Sequence, residues 1–301
     1  MRLLAGSAID IGQRRSENQD HLYTWTGPSV GLYIVADGMG GLRAGGLASE
    51  LAIEALTIHL QPLVEEIARG LSGQASLSPR DEPTMPHPMV AGDGTTTARP
   101  ADDDVEVVAQ SGNGPATVAP LFTSLMDSVA TAIDKTNRSI LRHAREHPEV
   151  AGLGSTATLV VVVGAKAIVA NLGDSRIYMI RQGAIQRVTN DHSLVATLVA
   201  MGQITDDEAY THPQRNLIYR SLGSDMDAEP DVSVHSLQPG DTLILCSDGL
   251  WDMVRDDAIL ATVQAAPPDD PRSAAEGLVS LANDNGGDDN ISVIVVHARD
   301  D

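Results

Sequence analysis

Apolar residues in this chain fall into short runs rich in valine, isoleucine and leucine, each bounded by glycine, aspartate or asparagine. Residues 31–36, 157–163, 167–172, 176–180, 242–246 and 291–297 carry this pattern and read as β-strands. Only short links such as Gly173-Asp174-Ser175 and Gln182-Gly183 separate several of them. Parallel neighbours need a long crossover, so strands this close are expected to pair antiparallel. Two longer stretches have the helical period instead. About residues 44–60, Leu47, Leu51, Ala55 and Ile58 are expected on one face. About residues 121–146, Leu125, Val129, Ile133, Ile140 and Leu141 keep the same spacing. Shorter helices are expected near 193–201, 256–265 and 272–283. Consecutive strands with helices in blocks point to a layered α+β architecture rather than a doubly wound sheet.

Between the long helices, residues 70–120 hold seven of the 16 prolines, the acidic run Asp102-Asp103-Asp104 and no sustained hydrophobic period. Such a stretch buries too little apolar surface to offset its chain entropy. It reads as a disordered insertion, either tolerated filler or a recruiting element, within one domain spanning residues 1–301.

Composition narrows the functional classes. Forty-one acidic against 20 basic residues leave a formal charge of −21, which repels nucleic acid. Lys135 and Lys166 are the only lysines, so no polybasic membrane anchor is present. No run reaches the length of a membrane-spanning helix, and the first ten residues are too short an apolar stretch for a signal peptide. The single cysteine, Cys246, sits in an apolar strand and excludes multi-cysteine metal sites. The reading is of a cytoplasmic protein, and a monomer.

The chemistry lies in a recurrence. Aspartate stands at the end of an apolar run, or just before one, at Asp37, Asp174, Asp248 and Asp289. Each alone has an ordinary explanation, because Asp-Gly is a turn dipeptide and aspartate ends strands well. Four carboxylates converging on one cleft would repel one another unless a cation neutralised them. Oxygen donors without a histidine cluster suit Mg²⁺ or Mn²⁺ rather than zinc. Gly38, after Asp37, lets backbone approach closely and offers a carbonyl ligand. Two such ions hold a bridging hydroxide and stabilise a phosphoryl group under in-line attack. Arg15, five residues before Asp20, is a forked donor matched to phosphate. No phosphate-binding P-loop occurs, and Asp191-His192-Ser193 is too contiguous to form a hydrolytic triad.

In order along the chain stand RRSENQD (14–20), VADGMGG (35–41), GSTAT (154–158), NLGDSRIY (171–178), NDHS (190–193), THPQRN (211–216), YRSLGS (219–224), CSDGLWD (246–252) and DDNISV (288–293). With these motifs the chain resembles the metal-dependent protein phosphatase (PPM) family, the type 2C serine/threonine phosphatases in their bacterial form. The resemblance implies a four-layer αββα sandwich of two antiparallel sheets flanked by helices. It implies hydrolysis of phosphoserine and phosphothreonine on proteins by a metal-bridging water or hydroxide, opposing a bacterial serine/threonine kinase. Its cofactors would be Mn²⁺ or Mg²⁺, two ions with a third shared by Asp174 and Asp248. Carried over residue by residue, Asp37 would bridge the two ions, Asp248 and Asp289 would complete one, and the Gly38 carbonyl would serve the other. Asp20 would act from behind them and Arg15 would grip the substrate phosphate. Residues 194–217 would form a flap, with Thr211 near the third ion. Met39 stands where many eukaryotic members carry a histidine, and Gln19 replaces a frequent acid. Neither departure removes a ligand, which favours an active enzyme over a phosphoprotein-binding pseudophosphatase. Dephosphorylation of an anti-sigma antagonist is a second pathway compatible with the same chemistry.

Overall fold

The computed structural model describes residues 1–41, 44–75, 118–224 and 228–300. The strands form two sheets. The first has the order β1 (Arg2–Asp10), β11 (Ile291–Arg299), β10 (Thr242–Cys246), β7 (Arg176–Arg181) and β8 (Ala184–Arg187). The second runs β2 (Asp20–Thr26), β3 (Val30–Met39), β5 (Ala157–Val163), β6 (Lys166–Leu172) and β9 (Asp231–Ser236), with β4 (Gly154–Ser155) pairing the end of β3. Every pairing is antiparallel.

The unbroken apolar runs make sense because both faces of these strands are covered. In β3, Leu32, Ile34 and Ala36 face the long helices α1 (Ala44–Ala75) and α2 (Val118–Glu146), while Tyr33 and Val35 face the other sheet. In β10, Leu243 and Leu245 meet them from the opposite side. Ile244 and Cys246 turn outward to α5 (Asp248–Trp251), α6 (Asp256–Ala265) and α7 (Pro271–Asp284). Three apolar slabs therefore separate four layers, as the resemblance implied.

Three details differ from the sequence reading. Gly173-Asp174-Ser175 does not close a hairpin: β6 pairs with β5 and β9, whereas β7 pairs with β10 and β8. The link carries the chain from one sheet to the other. Gly173 has φ +119°, and a Cβ there would lie 2.6 Å from Thr156 Cγ2, so only glycine fits the crossing. The buried face of α1 is Ala48, Ala52, Leu56, Leu60 and Val64, and Ile58 is 62% exposed. Small alanines set the helix close to the sheet, and the bulkier residues beside them gave the wrong phase. Finally, α1 runs through Pro62 to Ala75, and α2 begins at Val118, so both ends of the expected insertion are helical. The rest of that expectation, residues 76–117, lies outside the described residues. Among the described residues no helix is long and apolar enough to cross a membrane.

Candidate active site

One end of the sandwich opens into a cleft of about 320 Å³ whose lining includes Arg15, Asp37, Gly38, Asp174, Leu217, Asp248 and Asp289. Each carboxylate arrives by a different local route. Asp37 ends the apolar part of β3 and Asp248 opens α5 directly after β10. Asp289 precedes β11, and Asp174 sits on the crossing between sheets. Six residues proposed from sequence for this centre thus share one cavity. Asp20 lies just behind it, as the register partner of Asp37. Thr211 is placed apart: it ends α4 (Asp206–Thr211) on the surface, its Oγ1 donating to the Glu208 carbonyl at 3.4 Å, and it is not among the lining residues. The expected flap, 194–217, comprises α3 (Leu194–Ala200), α4 and a hydrogen-bonded turn that ends on the cleft.

The electrostatics are those of crowded, poorly solvated anions. Burial, with Asp20, Asp248, Asp174 and Asp289 nearby, pushes the Asp37 carboxyl well above the usual carboxylate range. Burial and its acidic neighbours do the same to Asp248. Asp174 is raised to about 7, mainly by burial and then by Asp191, and Asp20 to about 6, mainly by burial. Ser247 Oγ donates to Asp20 Oδ2 at 2.7 Å, yet Asp20 Oδ1, Asp174 Oδ1 and Asp248 Oδ1 are buried without a partner. These orphaned oxygens, together with the absence of imidazole or thiol donors in the lining, fit a hard divalent cation. The carboxylates line the cleft without closing on one point: among the described residues, no three acidic, histidine or cysteine side chains form a ready cage. Asp289 is instead engaged by the Arg15 guanidinium. The arginine expected to grip phosphate thus rests on a proposed metal ligand.

The surroundings hold the site in shape. A Cβ on Gly38 would fall 2.0 Å from the Gly45 carbonyl oxygen, so the first turn of α1 is tucked against a position that only glycine fills. Asn290 Nδ2 donates to the Ile11 and Glu17 carbonyls at 2.9 and 3.0 Å, and its Oδ1 accepts from Gln19 N–H at 2.8 Å. That clamp fixes the segment bearing Arg15. Trp251 Nε1 donates to the Asp174 carbonyl at 3.0 Å, and its ring lies 3.6 Å beneath the Arg176 guanidinium. Arg176 in turn is held by Asp191, Nη2 to Oδ2 at 2.7 Å. Ser247, Asn290, Trp251 and Arg176 all lie inside recognised motifs, but linear spacing does not reveal which of them touches which. The rejected triad stays rejected: Asp191 binds arginines, His192 Nδ1 accepts from Gly173 N–H at 3.2 Å, and the Ser193 hydroxyl caps α3.

The molecule is thus a four-layer αββα sandwich with a cleft of buried aspartates, suited to a divalent cation, where its two sheets meet. The family model for protein phosphatase 2C matches residues 12–268. The serine/threonine protein phosphatase PstP of Mycobacterium tuberculosis is 31% identical over 291 residues, covering 97% of this chain and 44% of that protein. The crystal structure of the M. tuberculosis phosphatase matches with a TM-score of 0.72 at 30% identity, covering all of both chains. The S. agalactiae serine/threonine phosphatase gives 0.72 at 33% identity over 99% of this chain and 100% of that one. A PstP catalytic domain in complex with two manganese ions gives 0.70 at 29% identity, covering 99% of each. The chain belongs to the protein phosphatase 2C family. It is a serine/threonine protein phosphatase.

Proposed function

We propose that this phosphatase acts as one catalytic domain and hydrolyses phosphoserine and phosphothreonine with two divalent ions, Mn²⁺ or Mg²⁺, held by the aspartate cleft. The observation that carries this reading is the set of buried carboxylate oxygens on Asp20, Asp174 and Asp248 that have no donor. The manganese complex of the related PstP catalytic domain supports the same metal and number here. When bound, such ions supply an activated water nucleophile and neutralise charge developing on the phosphoryl group.

The chain's own residues do the rest. Asp37, with the Gly38 carbonyl, Asp248 and Asp289, would hold the two ions, and Asp174 would share a third with Asp248. Asp20, fixed by Ser247, would orient solvent from behind Asp37. Arg15 would exchange its contact with Asp289 for two donors to the substrate phosphate, leaving the carboxylate to the cation. Met39 has no proton to give, so the leaving oxygen is not protonated from that position. The partner we assign is a serine/threonine kinase whose products this enzyme reverses, in the cytoplasm and as a monomer.

The test is hydrolysis of a phosphothreonine peptide by purified protein with and without Mn²⁺. Activity that appears with the ion, disappears in chelator and is absent from Asp248→Asn is the expected result. Full turnover in chelator would overturn it.

A further inference from the structure

Two of the large apolar side chains left in solvent among the described residues, Leu217 and Tyr219, belong to a segment that reaches the catalytic cleft through Leu217 and Ile218. Leu217 is 52% exposed and shares the cleft lining with Asp37 and Asp248; Tyr219, two residues on, is 46% exposed. Ile218, between them, is bridged to Ser193 and lines the cleft beside Leu217.

This segment is anchored. Leu194 N–H donates to the Leu217 carbonyl at 2.9 Å, Leu217 N–H to the Gln214 carbonyl at 3.1 Å, and Tyr219 N–H to the His192 carbonyl at 2.9 Å. The Tyr219 ring rests 5.9 Å from that of His192 and 6.0 Å from the Arg220 guanidinium. A single exposed leucine says little about any protein. Leu217 and Ile218 in the lining, with exposed Tyr219 next along the chain, put apolar surface held by backbone bonds at the mouth of a cleft that also carries four aspartates, and its occupant is the substrate chain beside its phosphorylated residue.

We propose that Leu217 and Tyr219 form an apolar shelf that receives the residue adjacent to the phosphoserine or phosphothreonine. The enzyme would then prefer phosphopeptides in which that neighbour is a branched aliphatic or aromatic residue. Acidic neighbours are disfavoured by the shelf and by the net charge of −21. The inference rests on the cleft being the catalytic one.

The experiment measures kcat/KM of the Mn²⁺-loaded enzyme on two phosphothreonine peptides that differ only in the flanking residues, leucine in one and serine in the other. Expected is a preference of about tenfold for the leucine peptide, the usual worth of one apolar side chain in a pocket, expressed chiefly in KM. In Leu217→Ser and in the double variant with Tyr219→Ser the ratio falls toward one, and Leu217→Met restores it. A ratio near one in the unmodified enzyme, or an undiminished ratio in the double variant, overturns the shelf alone. Failure to cleave either peptide with Mn²⁺ overturns the catalytic reading and the shelf with it.

Discussion

Asp20 and Asp37 stand directly opposite each other across the β2–β3 ladder, two carboxylates in register on adjacent strands. Each is held above the usual range, burial being the main cause. Antiparallel partners share a face, and like charges so placed destabilise a sheet. The pair is tolerable in a neutral form, or beside a cation. Asp37→Asn should therefore abolish Mn²⁺-dependent hydrolysis by about a hundredfold or more while leaving the metal-free protein as stable as before, or more so. Peptide turnover and thermal melts in chelator check the two halves.

The same physics sets a pH dependence. Asp174 and Asp20 are raised to about 7 and about 6 from an ordinary value near 3.8. A carboxyl raised on folding stabilises the native state fully below its unfolded pKa and loses that stabilisation as pH rises through the folded one. The metal-free melting temperature should thus fall between about pH 4 and about pH 7, and Asp174→Asn should flatten the decline. Buried His192 and His297, both lowered by burial, push the other way, so it is the comparison with Asp174→Asn that isolates the carboxylate. Added Mn²⁺ should raise the melting temperature most at the alkaline end.

Gly38 offers a steric test. Because a Cβ would meet the Gly45 backbone, Gly38→Ala should shift the first turn of α1 and cost about 1–3 kcal/mol by chemical denaturation. Activity should fall further than this loss of stability explains, since the carbonyl beside Asp37 moves with it.

Arg176 and Asp191 form a buried pair, with side chains 9% and 3% exposed. Removing one partner strands the other, so Arg176→Met should destabilise by about 3–5 kcal/mol. It also takes the lid off Trp251, whose indole pins the Asp174 backbone. A variant stable enough to assay should show weaker Mn²⁺ activation, read from activity against metal concentration.

The strands buried on both faces were legible because continuous Val/Ile/Leu runs declare themselves. Asp37, Asp174, Asp248 and Asp289 were legible because each interrupts or adjoins such a run. What escaped did so for physical reasons. β2 and β9 lie at sheet edges, and in β9 polar residues alternate with valine, giving no apolar run. The phase of α1 was obscured because Ala48 and Ala52, the residues nearest the sheet, carry little hydrophobic signal. The crossing at Gly173-Asp174-Ser175 has the composition of a hairpin turn, and only the pairing of β6 and β7 with other strands distinguishes it. The engagement of Arg15 by Asp289 spans 274 positions, beyond the reach of any motif.

That crossing has a mechanical corollary. Asp37 belongs to one leaf of the sandwich, Asp248 and Asp289 to the other, and Asp174 to the strap joining them. Cations shared among them would rivet the leaves together. Anything that wedges the leaves apart at the far end, a bulkier side chain in the central slab for instance, would loosen that rivet without touching a single ligand.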